Sequence, residues 1–219
     1  MILDDLSGVR TGAPETWPAR FRAYLRGRGV SDAQVEKWSL GYFDAGAFAE
    51  RVYVPIEDAT GLRSYAARSI LPEHNVPPPF PPEVSRARWT YSYVPDFLRD
   101  AVWFGQRFWP AHGGVAVVVE GVFDALRLDR DFPGLSVAAF HYMSQTQAAY
   151  DLLAYGFDRV VVLTDSDPVG DRTAEIVSVG LRNSGAPVVS SRARLPRSKD
   201  PASADLGELR DALGTCGVV

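Results

Sequence analysis

The C-terminal half of the sequence predicts an α/β fold built on a parallel sheet. From residue 111 onward, short apolar segments alternate with helical patterns, which is the order that parallel strands and their crossover helices require. Two of these segments are nearly continuous runs of valine, as expected for strands that are buried on both faces. The predicted strands are Val115–Val119, Leu135–Phe140, Val160–Leu163 and Pro187–Ala193.

Helical patterns follow the predicted strands. Ser144 and Gln147 form a capping-box pattern, which predicts that a helix begins after the second strand. Gly214 ends the last helical pattern, because glycine favours the position just after a helix. The predicted helices are Val122–Leu128, Ser144–Tyr155, Asp171–Leu181 and Leu206–Leu213.

The N-terminal half predicts a small α+β subdomain. A helical pattern covers residues 18–28, and Ser31 with Gln34 forms a capping box that opens a second short helix. Two strand patterns, Arg51–Ile56 and Leu62–Ile70, flank a glycine-containing turn and predict a β-hairpin or meander. The predicted organisation is a flexible arm over residues 1–15, an α+β subdomain over 16–110 and a parallel-sheet domain over 111–219.

Composition limits the class of protein. The chain has 219 residues, of which 46% are hydrophobic, so it can bury a core. It has no run of 18 apolar residues and no signal-like N-terminus, which predicts a soluble cytoplasmic protein without a membrane partner. The single cysteine, Cys216, excludes an internal disulfide and a cysteine-rich zinc site. A net charge of −4 argues against DNA binding by a basic surface alone.

Carboxylates follow two of the predicted strands. Asp165 and Asp167 come directly after the third strand, and Glu120 comes directly after the first. Because the carboxyl ends of parallel strands meet at one edge of the sheet, these side chains are expected to share a site. Clustered carboxylates repel one another, and their hard oxygens suit Mg²⁺ or Mn²⁺. The structural alternative is that each one caps a turn or a helix.

These residues carry a resemblance to a known family. Glu120-Gly121-Val122-Phe123-Asp124 and Asp165-Ser166-Asp167-Pro168-Val169-Gly170 together resemble the motifs of a TOPRIM domain, the catalytic fold shared by DnaG-type primases, topoisomerases and some nucleases. Lys199-Asp200-Pro201-Ala202 resembles a third motif, Lys-Asp-Pro-Asp, with Ala202 in place of the final acid. The resemblance implies a TOPRIM-type parallel sheet flanked by helices and preceded by a small helical and β subdomain.

Within that family the sequence is most similar to the bacterial and phage DnaG-type primases. The strand that ends in Ala66-Ala67-Arg68 resembles the primase segment before TOPRIM, and Arg88-Trp89-Thr90-Tyr91-Ser92 resembles the family's Lys-Tyr-x-Asn-Ser segment. Phe140-His141 departs from the Gly-Thr that the family usually has before the second TOPRIM helix. The resemblance runs from Ala19 to Leu213 and includes neither a zinc-binding module nor a helicase-binding module.

The resemblance implies a primase catalytic core that synthesises RNA primers on single-stranded DNA by metal-dependent nucleotidyl transfer. The implied catalytic residues and metal ligands are Glu120, Asp165 and Asp167. The implied supporting metal carboxylates are Asp124 and Asp200. The implied contacts to template or nucleotide phosphates are Arg51, Arg68, Arg88 and Lys199. The implied cofactor is Mg²⁺ or Mn²⁺.

The implied partners are a single-stranded DNA template, ribonucleoside triphosphates, a separate zinc-binding primase subunit and a replicative helicase. Two alternatives stay open from sequence. A TOPRIM nuclease would use the same carboxylates to cut DNA, although the Arg51–Ser92 resemblance favours a primase. A non-catalytic nucleic-acid-binding subunit of a split primase would fit Ala202 and the missing modules. A topoisomerase is disfavoured by the short chain.

Overall fold

The computed structural model describes residues 6–71, 89–91, 102–140, 146–196 and 199–219. Contacts divide the chain into two compact units. The described parts of 1–56 and 62–96 form the N-terminal unit, and those of 57–61 and 97–219 form the C-terminal unit. The limits of the arm and of the two domains that the sequence predicts, at residues 15 and 110, stay predictions.

The N-terminal unit is built on a five-stranded sheet in the order β1-β2-β3-β4-β5. Its strands are β1 Val9–Arg10, β2 Gly41–Phe43, β3 Arg51–Asp58, β4 Gly61–Ser69 and β5 Trp89–Tyr91. β1 pairs with β2, β2 with β3, and β4 with β5, all antiparallel. The predicted hairpin is present as β3 and β4, neighbours joined by the turn residues Ala59 and Thr60.

Two helices precede the long strands of this unit, α1 Ala19–Gly27 and α2 Asp32–Lys37. The predicted capping box is present at α2, where the Gln34 amide donates to Ser31 Oγ and the Ser31 amide donates to Gln34 Oε1, both at 3.2 Å. Aromatic side chains fill the sheet face, with Tyr65 fully buried and in ring contact with Phe43 and Tyr53. The sequence therefore encodes a packed α+β unit, as predicted.

The C-terminal unit is a four-stranded, wholly parallel sheet in the order β7-β6-β8-β9, as predicted. Its strands are β6 Val115–Val119, β7 Ser136–Ala139, β8 Arg159–Val162 and β9 Val189–Arg192. Its helices are α3 Val122–Asp131, α4 Gln147–Gly156, α5 Pro168–Asn183 and α6 Leu206–Gly214. Short 3₁₀ turns lie at Leu6–Gly8, Pro14–Thr16, Gly46–Phe48 and Gln106–Phe108.

The two valine-rich strands are the central pair of this sheet. Val117 and Val118 of β6 and Val161 of β8 are fully buried, because helices cover both faces of a parallel sheet. α4 and α5 pack closely at Gly180, where an added Cβ would overlap the ring of Tyr150. Trp103 is fully buried in the same core, and its indole donates to the Ala149 carbonyl at 2.9 Å.

Two helix starts differ from the sequence prediction. α5 begins at Pro168 rather than Asp171, because proline suits the first helical position and Asp167 caps the helix. α4 begins at Gln147 with Thr146 at the N-cap. The predicted start at Ser144 lies outside the described residues. Within the described part of the chain, no helix combines the length and the hydropathy needed to cross a bilayer.

Candidate functional site

The centre of the candidate site is a contact between the ends of the two central strands. β6 and β8 are adjacent and in register, with Val118 opposite Val162, so the residues that follow them emerge at one edge of the sheet. Glu120 Oε1 accepts a hydrogen bond from the Asp165 amide at 3.1 Å. The structure therefore brings together the first and third strand ends, from which the sequence predicted a shared site.

Asp167 lies on the same turn and caps α5. Its Oδ1 accepts from the Gly170 amide at 2.8 Å, which is an N-cap interaction that satisfies one free donor of the helix. Gly170 is required for this turn, because a Cβ there would overlap the backbone oxygen of Asp165. Thr164 Oγ1 donates to the Gly170 carbonyl at 2.9 Å and closes the turn from the other side. Asp167 is exposed, and its capping bond uses Oδ1.

Asp124 is buried and joins two segments of the site. Its Oδ2 accepts from the Gly121 amide at the start of α3, and its Oδ1 accepts from the Ala202 amide, both at 3.0 Å. Only 8% of Asp124 is exposed. Arg127, one turn further along α3, donates to the Ala202 carbonyl at 3.3 Å. The Ala202 residue is therefore held through both its N–H and its C=O.

Asp200 and Lys199 lie in the segment that Asp124 anchors. Asp200 Oδ1 accepts from the Ser203 amide at 2.6 Å, in a local turn. The Lys199 ammonium lies 2.5 and 2.6 Å from the two carboxylate oxygens of Glu208, so its charge is already compensated. The Lys199 carbonyl accepts from the Ser166 amide at 3.0 Å, which fixes this segment against the Asp165–Asp167 turn.

The carboxylates at this edge raise one another's proton affinity. Burial, together with the charges of Asp165 and Asp200, raises the pKa of Asp124 to about 8, against the lowering effect of its bonds from the Ala202 and Gly121 amides. Burial and the charges of Glu120, Asp200 and Asp167 together raise the pKa of Asp165 to about 7. The pKa of Glu120 is raised by burial and by the charge of Asp167, against the lowering effect of its bond from the Asp165 amide. Without a cation, the folded site therefore retains protons near neutral pH.

The carboxylate oxygens at this edge suit a hard divalent cation, but they do not complete its coordination shell. Asp165 Oδ1 is buried without a hydrogen-bond partner among the described residues, which is costly unless a cation or a water satisfies it. Across the residues that the structure describes, no group of three or more His, Cys, Asp and Glu side chains is already arranged around a metal position. Such an edge suits Mg²⁺, which keeps several waters and is commonly held by one or two carboxylates plus substrate phosphates.

Comparison with known proteins agrees with this geometry. Residues 117–204 match the family model described as Toprim-like. These residues form a Toprim-like domain. No match is found among curated protein sequences.

Solved structures resemble the chain well beyond that domain. The Aquifex aeolicus primase, with its zinc-binding and RNA polymerase domains, superposes with a TM-score of 0.73 and 21% identity over 89% of this chain and 55% of that one. A DnaG primase catalytic domain bound to single-stranded DNA gives a TM-score of 0.71 and 18% identity over 94% and 73%. The primase fragment of the bacteriophage T7 primase-helicase protein gives 0.64 and 18% over 94% and 75%. At these identities the likeness is one of fold, and the chain has the fold of a DnaG-type primase catalytic core.

The arginines that the sequence singled out lie outside the Toprim-like domain, and two of them are buried. Arg51 is 4% exposed and donates to the Ala67 carbonyl at 3.4 Å, and burial lowers its pKa, as does the charge of Arg68. Arg68 is 5% exposed and donates to the Tyr24 hydroxyl at 3.0 Å. β4, which carries Arg68, lies between β3 and β5 rather than at a sheet edge. Arg88 lies outside the described residues.

Two further arginines at the site were missed from sequence. Arg192 is the last residue of β9 and pairs in register with Val162, so it lies at the carboxyl end of the Toprim-like sheet. Its guanidinium lies 2.5 Å from Asp171, and Arg194 lies 3.1 Å from the same carboxylate oxygen. The signal was available, because the strand-end argument that selected the carboxylates applies equally to cations at the end of the fourth strand.

Proposed function

We propose that this chain is the catalytic core of a DnaG-type DNA primase, which joins ribonucleotides on a single-stranded DNA template by metal-dependent nucleotidyl transfer. The observation that carries the proposal is the extent of the structural likeness. Primase cores match both the Toprim-like sheet and the N-terminal α+β unit, covering 89–94% of the chain. A protein that shared only the carboxylate-bearing domain would not need the second unit.

The proposed reaction is attack of a 3′-hydroxyl on the α-phosphorus of a nucleoside triphosphate. The new bond is the 3′-oxygen to α-phosphorus bond, the α–β phosphoanhydride bond breaks, pyrophosphate leaves, and the hydroxyl proton passes to water. Bound Mg²⁺ or Mn²⁺ supplies charge for the attacking oxygen and the leaving pyrophosphate. The residues proposed to hold the cation are Glu120, Asp165 and Asp167, with Asp200 beside them.

Other residues of the site are proposed to hold these carboxylates in place. Asp167 fixes its own position by capping α5 through Oδ1. Asp124 holds the Ala202 amide and thereby keeps Asp200 near Asp165. Both Asp124 oxygens accept hydrogen bonds from backbone amides. We therefore assign Asp124 a positioning role in preference to metal binding.

The proposed nucleic-acid and nucleotide contacts are Arg51, Arg68, Arg88 and Lys199. The burial of Arg51 and Arg68 confines any such contact to a small exposed fraction of each side chain. Lys199 would have to leave Glu208 to reach a phosphate. These assignments give three of the proposed contacts to the N-terminal unit, and they leave Lys199 and the chemistry to the Toprim-like domain.

The proposed partners follow from what is named in the matched structures. The Aquifex chain includes a zinc-binding domain, and this chain spans 55% of its length, so a zinc-binding primase module is proposed to act with this core. The T7 match belongs to a primase-helicase protein, so a replicative helicase is the second proposed partner. A replication role would place the protein in the cytoplasm.

A Toprim nuclease is the second candidate, because the family match at residues 117–204 covers only the domain that primases and nucleases share. A non-catalytic subunit is the third, because Ala202 supplies no carboxylate where the primase motif has one.

One reaction set separates these functions. Labelled single-stranded and supercoiled DNA are incubated with Mg²⁺ or Mn²⁺, with and without ribonucleotides, and with and without a zinc-domain partner. Glu120→Gln is the matched control, since it removes one charge and keeps the shape of the side chain. Ribonucleotide incorporation that depends on Glu120 supports the primase. Cleavage that depends on Glu120, without incorporation under any condition, replaces it with the nuclease, and neither activity favours the non-catalytic subunit.

A further inference from the structure

A pair of arginines lies at the carboxyl edge of the Toprim-like sheet, beside the acidic site. Arg192 ends β9, and Arg194 follows two residues later. Both guanidinium groups are directed at one atom, Oδ1 of Asp171, at 2.5 and 3.1 Å. Asp171 lies in the first turn of α5, directly after the turn that carries Asp167. Arg192 and Arg194 are called the arginine pair below, and Asp171 is the carboxylate that they share.

The arginine pair carries more positive charge than its carboxylate neutralises. Two guanidinium groups share one carboxylate, so the cluster has a net charge of +1. In addition, Arg192 Nε is buried without a hydrogen-bond partner among the described residues. A buried donor of this kind costs free energy unless another group accepts its hydrogen. The cluster therefore has a net positive charge, and the hydrogen-bonding capacity of its Arg192 guanidinium is not fully used.

The arginine pair is open to solvent on its outer side. The side chains of Arg194 and Asp171 are 66% and 54% exposed, whereas that of Arg192 is 22% exposed. An exposed ion pair in water is weak, typically worth less than about 1 kcal/mol. An incoming anion with several oxygens can therefore displace the Asp171 carboxylate from the two guanidinium groups, which bind phosphates through paired N–H donors.

The arginine pair is adjacent to the carboxylates. Arg192 also approaches Thr164, with its Nη2 3.4 Å from Thr164 Oγ1, and Thr164 immediately precedes Asp165. The positive charge of Arg192 acts on Glu120 and lowers its pKa, against the larger effect of burial. The α5 N-terminus adds partial positive charge at the same place. An anion on the arginine pair would therefore lie next to the proposed metal ligands.

Two other cations close to this edge are already engaged. Both carboxylate oxygens of Glu208 contact the Lys199 ammonium. Arg127 contacts the Asp131 carboxylate and the Ala202 carbonyl. A polyphosphate that approaches this acidic edge needs cationic donors of its own, and the arginine pair is positioned to supply them.

We propose that Arg192 and Arg194 form a polyphosphate-binding site, which takes the triphosphate of a nucleotide or the pyrophosphate that leaves. Asp171 occupies the anion position in the free protein and is displaced when the polyphosphate binds. The identification of the polyphosphate with a primase substrate rests on the proposed function, whereas binding itself does not.

The test measures binding without catalysis. Inorganic tripolyphosphate is titrated into the whole chain by isothermal calorimetry, first in EDTA and then with Mg²⁺, and a ribonucleoside triphosphate is the second probe. Arg192→Gln and Arg194→Gln should each weaken binding by about tenfold or more, because each removes a charge-assisted, bidentate contact. Asp171→Asn should tighten binding, because the competing carboxylate is removed.

Arg182→Gln is the matched control, since Arg182 lies near the other end of α5 and pairs with Glu175 at 3.2 Å. Its binding should equal that of the unmodified chain. Arg194→Gln alters an exposed side chain, so it keeps the test valid if Arg192→Gln fails to fold. Circular dichroism of each variant checks folding.

Three results would overturn the proposal. The first is no tripolyphosphate binding in either buffer, and the second is equal binding by both arginine variants and the unmodified chain. The third is loss of single-stranded oligonucleotide binding in these variants with tripolyphosphate binding unchanged, which would make the pair a DNA-backbone contact. Intact arginine-dependent binding in a chain that makes no primers even with a zinc-domain partner would refute the primase proposal and leave this site standing.

Discussion

Replacement of Asp124 by asparagine removes one buried charge while keeping the shape of the side chain. In the folded protein burial raises the pKa of Asp124 to about 8, with Asp165 and Asp200 adding to the effect, whereas an unfolded aspartate titrates near 3.8. The folded state therefore keeps a proton that the unfolded state releases over this range. Its stabilising contribution is fully present below the unfolded pKa and is lost as pH rises through the folded pKa.

The magnitude follows from that one proton. Between pH 4 and pH 8 the free energy of unfolding should fall by up to about 1.4 kcal/mol per pH unit on account of Asp124. From pH 5 to pH 8 the loss is on the order of 3 kcal/mol. Asparagine has no such loss, but its amide nitrogen must face one of two backbone donors, the Gly121 or the Ala202 amide, at a cost of about 1–3 kcal/mol.

Asp124→Asn should therefore be about 1–3 kcal/mol less stable than the unmodified chain at pH 5 and equally or more stable at pH 8. The measurement is urea unfolding in EDTA at half-unit pH steps, followed by tryptophan fluorescence, to which the buried Trp103 in the same unit contributes. EDTA matters because a bound cation would itself change the proton affinity of the site.

Asp171→Asn is the control for the sign of the effect. Its hydrogen bonds from Arg192, and then the charges of Arg192 and Arg194, hold the pKa of Asp171 below its ordinary value. Asp171 is thus ionised in both folded and unfolded states above pH 5, and its replacement should shift stability by the same amount at every pH. The reasoning about Asp124 is refuted if its asparagine variant also shows a constant offset from pH 5 to pH 8.

Three further predictions concern the chemistry and the template. Glu120→Gln should abolish primer synthesis while the chain stays folded by circular dichroism, and stability in EDTA should rise slightly, because repulsion between carboxylates is relieved; an equally active variant would exclude Glu120 as a metal ligand or catalytic group. Crystals soaked in Mn²⁺ should give an anomalous peak within about 2–2.6 Å of an Asp165 oxygen, and a peak only elsewhere would remove this carboxylate from the metal site. Alanine variants of Arg51, Arg68 and Arg88 should weaken single-strand binding and flatten its dependence on salt. Unchanged salt slopes in all three variants would show that these arginines do not contact phosphates.

The parallel sheet and its acidic edge could be predicted because local pattern determines both. A valine run such as Val160–Val162 favours a strand that is buried on both faces of a parallel sheet. The residue after such a strand lies at the carboxyl edge of the sheet. The hydrogen bond from the Asp165 amide to Glu120 forms because the two strands that precede these residues are neighbours in the sheet.

The partners of individual charges could not be predicted in the same way. Whether Lys199 faces a ligand or Glu208, and whether Arg68 is exposed or buried against Tyr24, depends on side chains brought together by tertiary packing. Alternation along a strand identifies its two faces but does not say which strand lies at the sheet edge. Asp124 was selected as a metal carboxylate by motif, and only the structure reveals that both of its oxygens accept backbone amides.

Two hydrogen bonds to the backbone of Ala202 fix the position of its loop independently of its side chain. Asp124 accepts a hydrogen bond from the Ala202 N–H, and Arg127 donates one to the Ala202 C=O. Neither hydrogen bond depends on which side chain residue 202 carries. The loop can therefore gain or lose a carboxylate at this position during evolution and still present Asp200 at the same place. Proline is the one residue that this arrangement forbids on hydrogen-bonding grounds, because it has no N–H to offer Asp124. Variation at residue 202 is thus a means of adjusting the negative charge of the site without rebuilding it.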